Sequence, residues 1–219
     1  MTSQNHGAAD SALGYLYQTR WALFELLRRD TDVPDAAISL ELHDDVAWDN
    51  DGTPEQLLSL KHHGTPRALT DMSDDLWRTV RVWKDTGTAT EPSGPRLVLI
   101  TTSAAADGSA ASVLRDDDAR DEDLAIVRLT EAARESKNNA TADVRVWFQT
   151  LSPADKLVFA HKVVIVDGAS PLHDVGAAVR EELWWALPST GAETFLALLW
   201  QWWEAVALDM LQRKRGPVS

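Results

Sequence analysis

The chain contains no cysteine. Disulfides, thiolate zinc sites and cysteine nucleophiles are therefore excluded, and a reducing cytosol suits such a composition. Positive charge is scarce as well: 21 Lys and Arg stand against 34 Asp and Glu, a formal net charge of −13 over 219 residues. A protein that grips nucleic acid with its whole surface needs clustered Lys and Arg, so that class is disfavoured. A local basic groove stays open, and sites for divalent cations concentrate acids. Long hydrophobic runs are also missing. The most apolar segment, Phe195 to Leu211, is interrupted by Gln201, Glu204 and Asp209, which argues against a membrane span. The opening MTSQNHGAAD has no basic start followed by an apolar run, so no secretory signal is visible and a cytoplasmic protein is expected. There is no internal repeat and no long low-complexity tract.

What is present is an ordinary globular composition, 44% apolar and 25% charged, with enough chain for a full-sized core. Residues 10 to 29 carry Leu13, Tyr17, Trp21, Phe24 and Leu27 at helical spacing, with Asp10 or Ser11 as a cap. Gln18 and Glu25, seven apart, share another face of that helix. The stretch 38–63, ISLELHDDVAWDNDGTPEQLLSLKHH, reads as three short strands. Period-two alternation sets Glu41 and His43 opposite Leu40 and Leu42, and sets Ser59, Lys61 and His63 opposite Leu58 and Leu60. A bend at Asp44 separates the first two strands. The run Asp49-Asn50-Asp51-Gly52 marks a hairpin turn, with Asp49 and Asp51 as turn residues.

Further on, the pattern predicts a helix over 69–85 capped by Thr70 or Ser73, a buried strand over 96–102, and a small, flexible segment over 104–111. A helix over 122–137 follows, then an ambiguous element at 144–148. Ser152-Pro153 opens another helix, and a short strand spans 163–166. Two helices, 173–187 and 191–212, close the chain and hold five of its ten tryptophans: Trp184, Trp185, Trp200, Trp202 and Trp203. Such a stripe is usually core, yet the last helix is apolar on more than one side, which predicts a helical layer or a subunit interface. The element order gives an α/β fold, a mixed central sheet flanked by helices with a C-terminal helical extension. The expected division is 1–170 for the sheet domain and 171–219 for the extension.

The chemistry suggested by 38–63 is cation-assisted. Cutting a phosphodiester needs a water made nucleophilic and a leaving oxygen stabilised, and Mg²⁺ held by Asp, Glu and backbone carbonyls can do both. A lysine nearby can orient the water and offset charge in the transition state. Asp45, opening one strand, and Lys61, within the partner strand, meet that requirement, and Glu41 joins the same edge.

Those residues carry a resemblance. Gly14-Tyr15-Leu16-Tyr17-Gln18, Glu41-Leu42-His43-Asp44-Asp45-Val46 and Ser59-Leu60-Lys61-His62 resemble, over roughly residues 7 to 102, the restriction-endonuclease-like nucleases with the PD-(D/E)xK pattern. More narrowly, they look like bacterial antiphage effector endonucleases that cut double-stranded DNA, including those joined to cyclic-oligonucleotide sensors. The resemblance implies a Mg²⁺- or Mn²⁺-dependent enzyme. Asp45 would be the principal metal ligand and Glu41 a second ligand or water orienter. Lys61 would be the catalytic lysine, the Leu60 backbone carbonyl would complete the metal shell, and Gln18 would reach in from the helix. It also implies double-stranded DNA as substrate and a homo-oligomer or a defence-system partner protein as the source of control. LQRKRGPVS closes the sequence without a sensor domain, so the expectation is either an excerpt of a longer effector or control by a partner.

Ser59 departs from the pattern, which expects Asp, Glu or Gln there. A serine hydroxyl is a shorter, poorer ligand, so the alternative is a nuclease-fold module with weakened catalysis, kept for DNA binding or assembly. Glu41 and Asp45 could equally line a solvated sheet face, whereas Lys61 between apolar neighbours is harder to leave without a role. His43, His62 and His63 are more often packing or surface residues. Arg78, Arg81 and Lys84 read as a solvated helix face, and the acidic run 116–123 as a loop leading into a helix N-terminus.

Overall fold

Asp51 and Gly52 both adopt left-handed backbone angles, φ 50° and 77°. Two consecutive residues of this kind make the tight turn whose twist matches that of the flanking strands. In the computed structural model residues 3–29, 36–63 and 67–219 are described, with side chains from Ser11 onward. Along the chain the elements are α1 (Ser3–Arg28), β1 (Ala36–Leu40), β2 (Val46–Asn50), β3 (Thr53–Lys61), α2 (Asp74–Asp85), β4 (Arg96–Thr101), α3 (Ala110–Val113), α4 (Glu122–Glu135), α5 (Ala142–Thr150), α6 (Pro153–Lys162), β5 (Val163–Val166), α7 (Leu172–Glu182) and α8 (Ala192–Leu211). These eight helices and five strands, counted among the described residues, form an α/β fold. Its mixed open sheet has the order β1-β2-β3-β4-β5.

The chain divides into two compact units, 1–54 with 170–219, and 55–169. In the first, β1 and β2 pair antiparallel, with Leu40 opposite Val46 and Ala36 opposite Asn50. The outer edge of β1 is closed by the C-terminal tail: Ile38 and Val218 exchange both backbone hydrogen bonds, at 2.7 and 2.9 Å. That pairing removes an exposed strand edge. α1 buries Tyr17, Trp21, Ala22 and Leu23, and the Tyr17 hydroxyl donates to the Ser170 carbonyl at 3.0 Å. Burial pushes the Tyr17 hydroxyl pKa far above its ordinary value. Trp203 of α8 is fully buried and its ring N–H donates to the Thr19 carbonyl at 2.7 Å.

One expectation fails in this unit: α1 begins at Ser3, so Asp10 and Ser11 lie inside the helix rather than at its cap. Of the five terminal tryptophans only Trp203 is buried, while Trp184 and Trp185 are 75% and 72% exposed in the turn beyond α7, which ends at Glu182. Residues 30–36, which Pro34 marks in the sequence as a loop, lie outside the described residues apart from Ala36, which opens β1.

In the second unit β3, β4 and β5 run parallel, with Leu58 opposite Val98 and Val98 opposite Val164. Leu97 to Thr101 are buried throughout, as expected of an internal parallel strand. α2 begins only at Asp74, with Ser73 at the N-cap position but its hydroxyl accepting from the Thr70 N–H rather than capping the helix, and Leu69 is drawn into a bridge with Ala105. The small residues 104–111 are likewise anchored. Asp167 accepts from the Ala105 N–H at 2.7 Å, and Ser109 caps the buried turn of α3. The ambiguous 144–148 segment is helical in α5, where Val144 and Phe148, one turn apart, are buried and Phe148 meets Trp77 and Phe159 edge-on. Ser152 and Pro153 open α6 as expected, with the Ser152 hydroxyl accepting from the Asp155 N–H.

Candidate active site

The acids expected to hold a cation sit on a loop rather than along a strand. β1 stops at Leu40 because Glu41 turns left-handed, φ 52°, and its N–H donates to the Asp45 carbonyl at 3.2 Å. Asp44 steadies the loop by accepting from the Asp45 N–H at 2.8 Å. The strand alternation expected for Glu41 and His43 therefore does not apply, and Leu42 is exposed. Glu41 and Asp45 are nonetheless brought together, as the two ends of one closed loop directly before β2. Gln18 is half-buried on α1. Glu25, which shares its face, accepts from the Trp21 ring N–H at 3.0 Å. Burial raises the Glu25 carboxyl pKa, with Arg28 opposing.

Asp49 was missed. It belongs to β2, not to the turn, and is buried at 2% exposure. Ser39 faces Ala47 and Asp49 faces Ala37, so the two side chains meet diagonally on one face. The Ser39 hydroxyl donates to Asp49 Oδ2 at 2.7 Å, and His43 Nε2 lies 3.3 Å from Asp49 Oδ1, the oxygen with no well-aligned hydrogen bond. The signal available was the alternation itself, which sets Ala47 and Asp49 against Val46 and Trp48. Asp51 is the turn residue expected.

In the second unit Leu57 to Leu60 are all buried, Ser59 at 1% exposure, and Lys61 ends β3 half-buried, opposite Thr101 of β4. Carboxyl ends of parallel strands are where ligands bind in open α/β sheets. Here that edge is polar. Thr101, Thr102 and Ser103 are buried, the Thr102 N–H donates to the Lys61 carbonyl at 3.2 Å, and the His63 N–H donates to the Thr102 hydroxyl at 3.0 Å. His63 Nε2 stands 2.6 Å from Asp75 Oδ2 in the first turn of α2. His63, expected as a packing or surface residue, is partly exposed and pairs with Asp75, which was not anticipated. An Asp partner fixes which imidazole nitrogen carries the proton, leaving Nδ1 of the neutral ring as the acceptor. None of Asp45, Ser59, Leu60, Lys61 and His62 is without an interaction.

No protein-family model matches the chain, and no curated protein compared with it matches either.

Among the described residues no three His, Asp or Glu side chains form a ready metal cage. Mg²⁺ does not require one, since it keeps several waters and takes one or two carboxylates plus substrate oxygens. The 41–45 loop carries the carboxylates of Glu41 and Asp45 at its two ends, which one backbone hydrogen bond of 3.2 Å joins. The other charged features have structural explanations. Arg78 pairs with Asp74 at 3.7 Å, Arg81 with Asp143, and Lys84 with Asp85 at 3.1 Å. In the acidic run, Asp121 caps α4 and Asp116 pairs with Arg96 at 2.8 Å. Among the described residues, no helix is long and apolar enough to cross a membrane.

Proposed function

We propose that the chain is a Mg²⁺- or Mn²⁺-dependent endonuclease of double-stranded DNA, with a restriction-endonuclease-like fold, serving as an effector of bacterial antiphage defence. The observation that carries this reading is Lys61, a half-buried lysine that ends a parallel strand whose four preceding residues are buried, opposite the buried Thr101 and two residues before His63, which pairs with Asp75. The Glu41–Asp45 loop supports the reading by supplying the paired acids.

In this reading Asp45 and Glu41, with the Leu60 backbone carbonyl, hold the cation, which when bound supplies Lewis-acid polarisation of the phosphate and an acidified water. Lys61 orients the attacking water and offsets charge growing on the phosphoryl oxygens. Gln18 positions the substrate from α1. The exposed Trp184 and Trp185 support a further copy or a defence partner as the controlling contact.

Ser59 favours a second reading, a fold that binds DNA with weakened catalysis, because its buried position holds no carboxylate or amide. Titration of Mn²⁺ into the wild type, Asp45→Asn and Ser59→Gln tests both readings. The nuclease reading expects affinity to fall at least tenfold in Asp45→Asn, and unchanged affinity there counts against it. Tighter binding in Ser59→Gln, together with DNA binding but no cutting by the wild type, supports the second reading.

A further inference from the structure

The first unit contains a cavity of about 250 Å³ with two unlike walls. One wall is the end of β1 and the acid loop: Ser39, Leu40, Glu41 and Leu42. The other is the turn after α8, which brings in Arg213, Lys214 and Arg215. We infer that this turn grips the backbone phosphates of duplex DNA beside the Glu41–Asp45 loop, an inference that rests on the nuclease reading and adds the substrate contact it lacks.

The local chain explains how the three cations come to this wall. α8 ends in a Schellman turn: the Arg213 N–H donates to the Met210 carbonyl at 2.9 Å and the Lys214 N–H to the Asp209 carbonyl at 2.9 Å. Arg213 itself is left-handed, φ 54°, at the position such turns normally give to glycine. The turn reverses the chain so that Val218 can pair with Ile38, and this fixes the basic segment alongside β1.

The bland explanation is that the cations complement the helix dipole. The last turn of α8, where that effect is strongest, holds no basic residue, and the three cations follow one another only after the cap at Gln212. Elsewhere among the described residues most arginines have an acid partner. Arg28, Arg78, Arg81, Arg96, Arg115, Arg120, Arg128, Arg134 and Arg180 all pair with acids. Among the described residues, none offers an acid to Arg213, Lys214 or Arg215, in a chain with a net charge of −13. Three adjacent exposed cations left without acids, in a protein so rich in acids, form the local basic track that phosphate neutralisation requires. At about 250 Å³ the cavity is far larger than a single water needs. It also includes Glu41, so a strand held by the basic turn lies next to the acid loop.

The test is binding of a fluorescein-labelled 30-bp duplex in EDTA, followed by anisotropy across a NaCl series, so that no cleavage intervenes. The variant Arg213→Asn/Lys214→Gln/Arg215→Gln removes the charges while Asn keeps the left-handed turn accessible. A control removes as many charges from the second unit, Arg128→Gln/Arg134→Gln/Lys137→Gln. Circular dichroism melts establish that both fold like the wild type. The expected result is a slope of log affinity against log salt that is shallower by about 2–3 in the first variant, roughly 0.9 per lost phosphate contact, with the control unchanged. Wild-type binding with the same slope and affinity in the first variant, or an equal loss in the control, overturns the basic track while leaving the nuclease reading standing. A wild type that does not bind duplex DNA overturns both.

Discussion

His63 Nε2 and Asp75 Oδ2 lie 2.6 Å apart, joining the exit of β3 to the first turn of α2. Both side chains are about one-third exposed, so solvent screens the pair and its worth is small. Asp75→Ala is expected to cost less than about 1 kcal/mol and to lower the melting temperature by no more than about 4 °C, checked by thermal denaturation. A loss twice as large would show that the pair is far more deeply desolvated.

The elements that were legible in the sequence are those written locally. Asp51-Gly52 specifies its own turn, Ser152-Pro153 specifies a helix start, and the Leu-Val-Leu-Ile run specifies a buried strand. Alternation placed Lys61 on the third strand but carried that strand on to His63, whereas β3 ends at Lys61, and Asp45, expected to open the second strand, lies one residue before β2. What was not legible depends on partners remote in sequence or on one backbone angle. Asp49 looked like part of an Asp-Asn-Asp-Gly turn; alternation could have set it on one face with Ala47, but its bond to Ser39 depends on the pairing with β1. A left-handed Glu41 ends β1 three residues early, and no propensity signals it. Asp75 reads as an ordinary acid in a helix first turn until the fold brings His63 to it.

Asp167 accepts two hydrogen bonds from Arg115, at 2.7 and 2.8 Å, and one from the Ala105 N–H. Those bonds from Arg115 hold its carboxyl below the ordinary Asp range, with burial opposing. A depressed folded-state pKa contributes stability that is present above the unfolded value, near 3.9, and is lost as pH falls through the lower folded value. Asp167→Asn is therefore expected to cost about 1–2 kcal/mol at neutral pH, allowing for the exposure of Arg115. In urea denaturation the gap from the wild type should hold down to about pH 5 and shrink below about pH 4. A gap that widens on acidification contradicts the assignment.

Trp203 and its neighbours along the chain separate core from surface within one residue type. Trp203 is fully buried and hydrogen-bonded to α1, so Trp203→Ala is expected to cost about 3–5 kcal/mol. Trp184→Ala and Trp185→Ala, at exposed positions, should each stay within about 0.5 kcal/mol. Chemical denaturation of the three variants checks the contrast, and a large loss in Trp184→Ala would mean that this side chain is covered in solution.

Cleavage of supercoiled plasmid in Mg²⁺ by wild type and Lys61→Ala, matched for melting temperature, tests the role proposed for Lys61. Nicked and linear products are expected from the wild type, with at least a hundredfold loss of rate in the variant, about 2.7 kcal/mol of transition-state stabilisation. Equal cutting by the two proteins, or a wild type inert in both Mg²⁺ and Mn²⁺, would contradict that role.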